Sequence, residues 1–90
     1  MPQEIIVGAG SIKKLGECAT KLGGTHALII SGPHLNKMGL VDVCKQSLAD
    51  VGIPADAFTE TEGNPSVETV EKATKLYQEC GADFIVAFGG

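Results

Sequence analysis

The chain has 90 residues, 7 Lys and Arg against 11 Asp and Glu, a formal net charge of −4 and 43% hydrophobic residues. A chain of this size buries only about two-thirds of the surface its unfolded form exposes, which leaves room for one modest core in one domain. Every basic residue is Lys and only four residues are aromatic; that argues against nucleic acid and against an anionic membrane surface, since both call for a basic face.

The start, Met1-Pro2-Gln3-Glu4, has no basic segment leading into an apolar one, so no secretory leader is expected. Nor does any apolar run approach the roughly 18–20 residues of a membrane span. Cys18, Cys44 and Cys80 contain no C-x-x-C pair; free thiols packed as small hydrophobes fit a reducing compartment and a cytoplasmic location.

Ile5-Ile6-Val7 reads as a short first strand, followed by Gly8-Ala9-Gly10-Ser11. The G-x-G-x-x-G fingerprint would need Gly where Lys13 stands, so this stretch reads as an ordinary turn with Ser11 capping the next helix. That helix runs from about Ile12 to Leu22, with Ile12, Leu15, Ala19 and Leu22 on one apolar stripe. Ala27–Ile30 is a continuous apolar run, as expected of a strand covered on both faces of a parallel sheet. A short turn at Leu35–Met38 breaks at Gly39, and a second helix follows over about Leu40–Val51, with Leu40, Val41, Cys44, Leu48 and Val51 inward. Ile53–Phe58 is a weaker strand, interrupted by Pro54 and Asp56 and therefore placed near an edge. The third helix spans about Val67–Cys80 with Val67, Val70, Ala73, Tyr77 and Cys80 inward; Asn64 or Ser66 can cap it, and Pro65 suits its first turn. Phe84–Phe88 is the last strand.

Glycine is in excess, 12 of 90, and three of these residues set a period. Gly23, Gly52 and Gly81 each close a helical stretch ahead of an apolar run, at intervals of 29 residues. A βα unit of about 30 residues has that period, and glycine suits the left-handed residue that commonly ends a helix. The order β-α-β-α-β-α-β predicts an α/β fold: a Rossmann-like parallel sheet of βα repeats.

In such a sheet the loops after the strands share one edge, where ligands bind. These loops are Ser31-Gly32-Pro33-His34, Thr59 to Asn64, and Gly89-Gly90. Gly32-Pro33 has two readings, turn chemistry or a place in this ligand edge, and so has Asn64-Pro65, a helix cap or a part of that edge. Two glycines in succession after a buried strand, Gly89 and Gly90, suit a backbone pressed against a phosphate. His26 and His34 share no metal-ligand spacing with Cys, Asp or Glu. Asp83 reads as a solvated loop carboxylate, and no catalytic residue can be assembled.

Gly8-Ala9-Gly10-Ser11, Ala27-Leu-Ile-Ile-Ser31, Gly63-Asn64-Pro65-Ser66 and Gly81-Ala82-Asp83-Phe84-Ile-Val-Ala-Phe-Gly89-Gly90, in this order, resemble the N-terminal part of the iron-containing alcohol dehydrogenases. The resemblance covers essentially the whole chain, and it extends to glycerol dehydrogenase and dehydroquinate synthase, which share the scaffold. It implies a cytoplasmic oxidoreductase that uses NAD or NADP to interconvert a small alcohol with an aldehyde or ketone, with homo-oligomers compatible. Residues 1–90 would be a partial N-terminal NAD(P)-binding domain, ending after the fourth strand. A helical domain outside it would hold iron or another divalent metal through one Asp and three His, so no metal ligand is expected in this chain. Carried over by position, Gly89 and Gly90 match the first glycines of the family's pyrophosphate loop, and Asn64 matches an Asn beside the cofactor. Gly32 departs from the pattern: many NAD-preferring members carry Asp there, whose carboxylate binds the adenosine ribose and repels a 2′-phosphate. The departure implies tolerance of or preference for NADP, with Lys37, His34 and backbone N–H groups as candidate phosphate partners. The 90 residues alone are expected to be inactive. A stand-alone, flavodoxin-like binding module without catalysis is the alternative.

Overall fold

The computed structural model of the protein describes residues 3–8, 10–60 and 67–88. Strands β1 (Gln3–Val7), β2 (Ala27–Ile30), β3 (Ala55–Phe58) and β4 (Phe84–Phe88) form one sheet in the order β1-β4-β2-β3, and every pairing is parallel. Between them run a 3-10 turn at Ile12–Lys14 and helices α1 (Leu15–Leu22), α2 (Pro33–Lys37), α3 (Leu40–Ala49) and α4 (Val67–Cys80). This is the expected α/β architecture, with β3 on an edge as its Pro and Asp imply.

The helix-ending glycines behave as their spacing predicts. Gly23, Gly52 and Gly81 have φ of 79°, 78° and 77°, and Gly39, which separates α2 from α3, has φ of 82°. These are left-handed values that a Cβ disfavours.

One face of the sheet carries the core. Val7, Ala27, Ile29, Phe84 and Val86 pack against Ile12, Leu15 and Ala19 from the first helical segment and Val41, Cys44 and Leu48 from α3. Each of these α1 and α3 residues lies on the stripe that the apolar spacing marks out. α1 and α3 cross closely at Gly16, whose amide donates to Ser47 Oγ at 3.1 Å. Gly24 is pressed against the Phe84 ring, where a Cβ would fall 2.4 Å from a ring carbon. Neither close approach is visible in the periodicity.

The opposite face is thinner. Leu28 is fully buried there, but Ile85 and Ala87 in β4 are only half-buried, so the apolar run of β4 is fully covered on one face alone. α4 packs over β2 and β3 on this side, and its expected inward stripe is only partly covered: Ala73, Tyr77 and Cys80 are half-buried, whereas Val67 is 74% exposed and Val70 53%. Apolar spacing fixes which side of a helix is sticky, but burial also needs a neighbour along its length.

Smaller differences have local causes. α3 ends at Ala49, with Asp50 as its C-cap, so Val51 leaves the helical stripe and lies in an exposed turn. Ile53 is buried but precedes β3; the Pro54 carbonyl makes the first bond to β2 by accepting from the Ala27 amide at 3.0 Å. Leu35–Met38, expected as a turn, belongs largely to α2, which Pro33 opens at its first position. Ser11 precedes the 3-10 turn, but its hydroxyl does not cap it. Ser11 Oγ instead accepts from the Gly8 amide at 2.8 Å and donates to the Gly8 carbonyl at 3.2 Å. That closes the turn after β1 onto itself, in agreement with a turn rather than a dinucleotide fingerprint. No described helix is long and apolar enough to cross a membrane.

Candidate functional site

Because all four strands are parallel, their carboxyl ends share one edge. Gly8 follows β1, Ser31 and Gly32 follow β2, and Thr59 follows β3. β2 is flanked by β3 and β4, with Ile30 level with Phe58 on one side and with Ala87 on the other. The loop at Gly32 therefore stands beside the end of the strand that leads to Gly89.

Ser31 holds this loop in place. It is buried, its amide donates to the Phe58 carbonyl at 2.9 Å, and its hydroxyl donates to the Gly32 carbonyl at 3.2 Å. Gly32 then opens α2 with φ of −82° and ψ of 165°, and its carbonyl accepts from the Asn36 amide at 3.3 Å. That backbone conformation is open to any residue, so Gly32 is not demanded by the turn. His34 and Lys37 are both exposed on the helix it begins. Of the sequence-predicted cofactor residues only Gly32 is described; Asn64, Gly89 and Gly90 lie outside the described residues.

The other edge of the sheet holds two clusters that reading the sequence missed. Asp83, expected as a solvated loop carboxylate, is exposed as expected, but it is also a clamp. Its oxygens accept from the Thr25 amide at 3.0 and 3.1 Å, the Thr25 hydroxyl at 3.1 Å and the His26 amide at 3.1 Å, while its own amide donates to the His26 carbonyl at 2.9 Å. Partial desolvation pushes the carboxyl pKa up, but the hydrogen bonds from His26 and Thr25 together outweigh it and hold the group below the ordinary Asp value. Next to this clamp, His26 Nε2 lies 2.7 Å from Asp56 Oδ2, and Cys80 completes a group of three. The repeat carries the missed signal. Thr25 and Asp83 are 58 residues apart, two periods of 29, and His26 and Asp56 are separated by 30, about one period. Residues at equivalent points of successive βα units meet at the same edge.

The family model of iron-containing alcohol dehydrogenases matches residues 2–90. The chain belongs to that family. Among curated relatives, it is 36% identical over its whole length to a choline dehydrogenase of Bacillus subtilis (strain 168), of which it covers 22%. It is 34% identical, again over its whole length, to an NADPH-dependent butanol dehydrogenase of Clostridium saccharobutylicum, also covering 22%. Among solved structures, a 1,3-propanediol oxidoreductase superposes with a TM-score of 0.81 at 30% identity, over 98% of this chain and 23% of that one. The chain thus spans somewhat over a fifth of the relatives it matches, and it corresponds to their N-terminal region.

Iron is the family's metal, and its fit to this chain can be tested on the donors present. The resemblance implies one Asp and three His, and the chain has two His. His26 precedes β2 at one edge of the sheet and His34 is in α2 beyond the other. These residues do not form that ligand set.

Proposed function

We propose that this chain is the NAD(P)-binding part of an alcohol dehydrogenase that interconverts a small alcohol with an aldehyde or ketone. The observation that carries the reading is the position of Gly32, at the carboxyl end of β2 beside β4, in an all-parallel sheet of this family. In an open α/β sheet that edge is where a dinucleotide lies. Gly89 and Gly90 follow β4 and would lead the backbone along the pyrophosphate, with Asn64 beside the cofactor. Gly32 would border the adenosine ribose. A carboxylate there would accept the ribose hydroxyls and repel a 2′-phosphate; glycine does neither, and exposed Lys37 and His34 are near in sequence to supply charge. The enzyme therefore accepts NADP. The relatives include both NADPH- and NADH-dependent butanol dehydrogenases by name, so the family accommodates either choice.

The test is the ratio of kcat/KM with NADP to that with NAD, in the alcohol dehydrogenase carrying this chain as its N-terminal region, before and after Gly32→Asp. The backbone dihedrals at Gly32 are open to Asp, and circular dichroism of the variant separates an effect on the cofactor from one on folding. A ratio above one that falls at least tenfold in the variant supports the reading. A strong NAD preference before substitution refutes the assignment of Gly32. The 90 residues alone should oxidise no alcohol, since the three His of the implied iron site exceed the two present.

A further inference from the structure

His26, Asp56 and Cys80 meet at the amino-terminal edge of the sheet, away from Gly32. His26 immediately precedes β2, Asp56 is in β3, and Cys80 is the last residue of α4. Leu28 and Asp56 are paired in register, so Asp56 points to the α4 side of the sheet, where the alternation of β2 also directs His26. One donor atom from each of the three side chains lies within 4.8 Å of the other two. Among the described residues, no other three His, Cys, Asp or Glu side chains come together in this way. The site is open to solvent on one side: the His26 side chain is 24% exposed and that of Asp56 49%.

We propose that His26, Asp56 and Cys80 bind a divalent transition-metal ion of the zinc type. An imidazole, a carboxylate and a thiolate are the donor types such ions take, and bonds of about 2.0–2.3 Å in a tetrahedral site set the donors roughly 3.4–3.7 Å apart. His26 Nε2 and Asp56 Oδ2, at 2.7 Å, are now spaced for a shared proton. The ion takes the place of that proton, which moves to Nδ1 or to solvent, and spreads the pair by under about 1 Å. Cys80 closes from the other side and releases its thiol proton. Its present partner is a weak one, the Tyr77 carbonyl at 3.6 Å. A fourth position faces solvent and takes water.

The supports of the three ligands are already in place. The Asp83 clamp fixes the backbone of His26 through bonds in both directions. The β2–β3 ladder fixes Asp56, and Gly81, in its left-handed conformation, ends α4 directly after Cys80. The ion would tie β2, β3 and α4 together on the face where the apolar packing is thinnest.

The test is titration of the 90-residue chain with Co²⁺, followed by displacement with Zn²⁺. One equivalent of cobalt should produce a thiolate-to-cobalt charge-transfer band with visible ligand-field bands, and zinc should abolish both. Cys80→Ser should remove the charge-transfer band, and His26→Gln should weaken binding at least tenfold, whereas Cys18→Ser should leave both unchanged. Far-ultraviolet circular dichroism shows whether each variant is folded. Alkylation of the unaltered protein, mapped by peptide, needs no variant: zinc should slow modification of Cys80 and leave Cys18 unaffected. Absence of the charge-transfer band, its survival in folded Cys80→Ser, or equal alkylation of Cys80 with and without zinc each overturns the proposal.

Discussion

Substituting Gly16 by Ala sets two effects of opposite sign against one another. Within α1, Ala is favoured over Gly by about 1 kcal/mol, because glycine loses more backbone freedom on folding. Against this, a Cβ on Gly16 would lie 2.5 Å from the Ser47 carbonyl oxygen. Ordinary contact begins near 3.4 Å, so α1 and α3 must part by about 0.9 Å at this point. The obstacle is backbone, and no side-chain rotation relieves it. Parting also lengthens the 3.1 Å bond from the Gly16 amide to Ser47 Oγ and loosens Leu15 and Ala19 against Val41, Cys44 and Leu48, all buried. A radial gap of about 0.5–1 Å forfeits roughly a quarter to a half of the dispersion well, and overpacking of a core costs about 1–3 kcal/mol. A weakened hydrogen bond adds about 1 kcal/mol. Steric loss exceeds the propensity gain, and the variant is destabilised by about 1–3 kcal/mol. For a domain of this size that lowers Tm by at least about 4 °C, to be read by thermal unfolding followed by circular dichroism. A Tm equal to or above that of the unaltered protein would refute the close α1–α3 contact.

Asp83→Asn removes the negative charge from the clamp on Thr25 and His26, and at pH 7 should destabilise the protein by about 1 kcal/mol after allowance for solvent screening. Because the folded pKa of Asp83 is depressed, its contribution is present above the unfolded value and is lost as pH falls through the folded one; urea midpoints of protein and variant should stay apart above the unfolded Asp value of about 4 and converge as pH falls below it. Burial raises the Cys44 thiol to about 11, so it stays protonated and sequestered at neutral pH while Cys18 is exposed. A maleimide at pH 7 should modify Cys18 at least tenfold faster than Cys44, and urea should remove the difference; equal rates under native conditions would contradict the core described for α3.

The parts of this fold that were legible in the sequence are those in which one local rule decides. Ala27–Ile30 and Phe84–Phe88 are strands with the expected bounds, and Gly23, Gly52 and Gly81 are left-handed because an L side chain is strained there. Burial follows the apolar spacing where a helix meets both another helix and the sheet: Val41, Cys44 and Leu48 meet α1 and the sheet, whereas Val67 and Val70 carry the same spacing and stay exposed at the start of α4. Of the candidate cofactor residues, Gly32 is at the expected edge through the parallel order of the strands. What escaped notice is non-local, in that Gly16 against Ser47 and Asp83 against Thr25 depend on crossings that no helical or strand period encodes. Yet these contacts have an order of their own. In a sheet of equal βα units, positions one or two periods apart occupy the same edge, and the 29-residue interval first read from glycines brings Asp83 to Thr25 and, within one residue, Asp56 to His26. A polar residue just before a strand therefore acquires neighbours from the adjoining units, and the amino-terminal edge becomes a second place where chemistry can gather. Residues there stand apart from the loops at the carboxyl ends of the strands, so they can change without disturbing those loops.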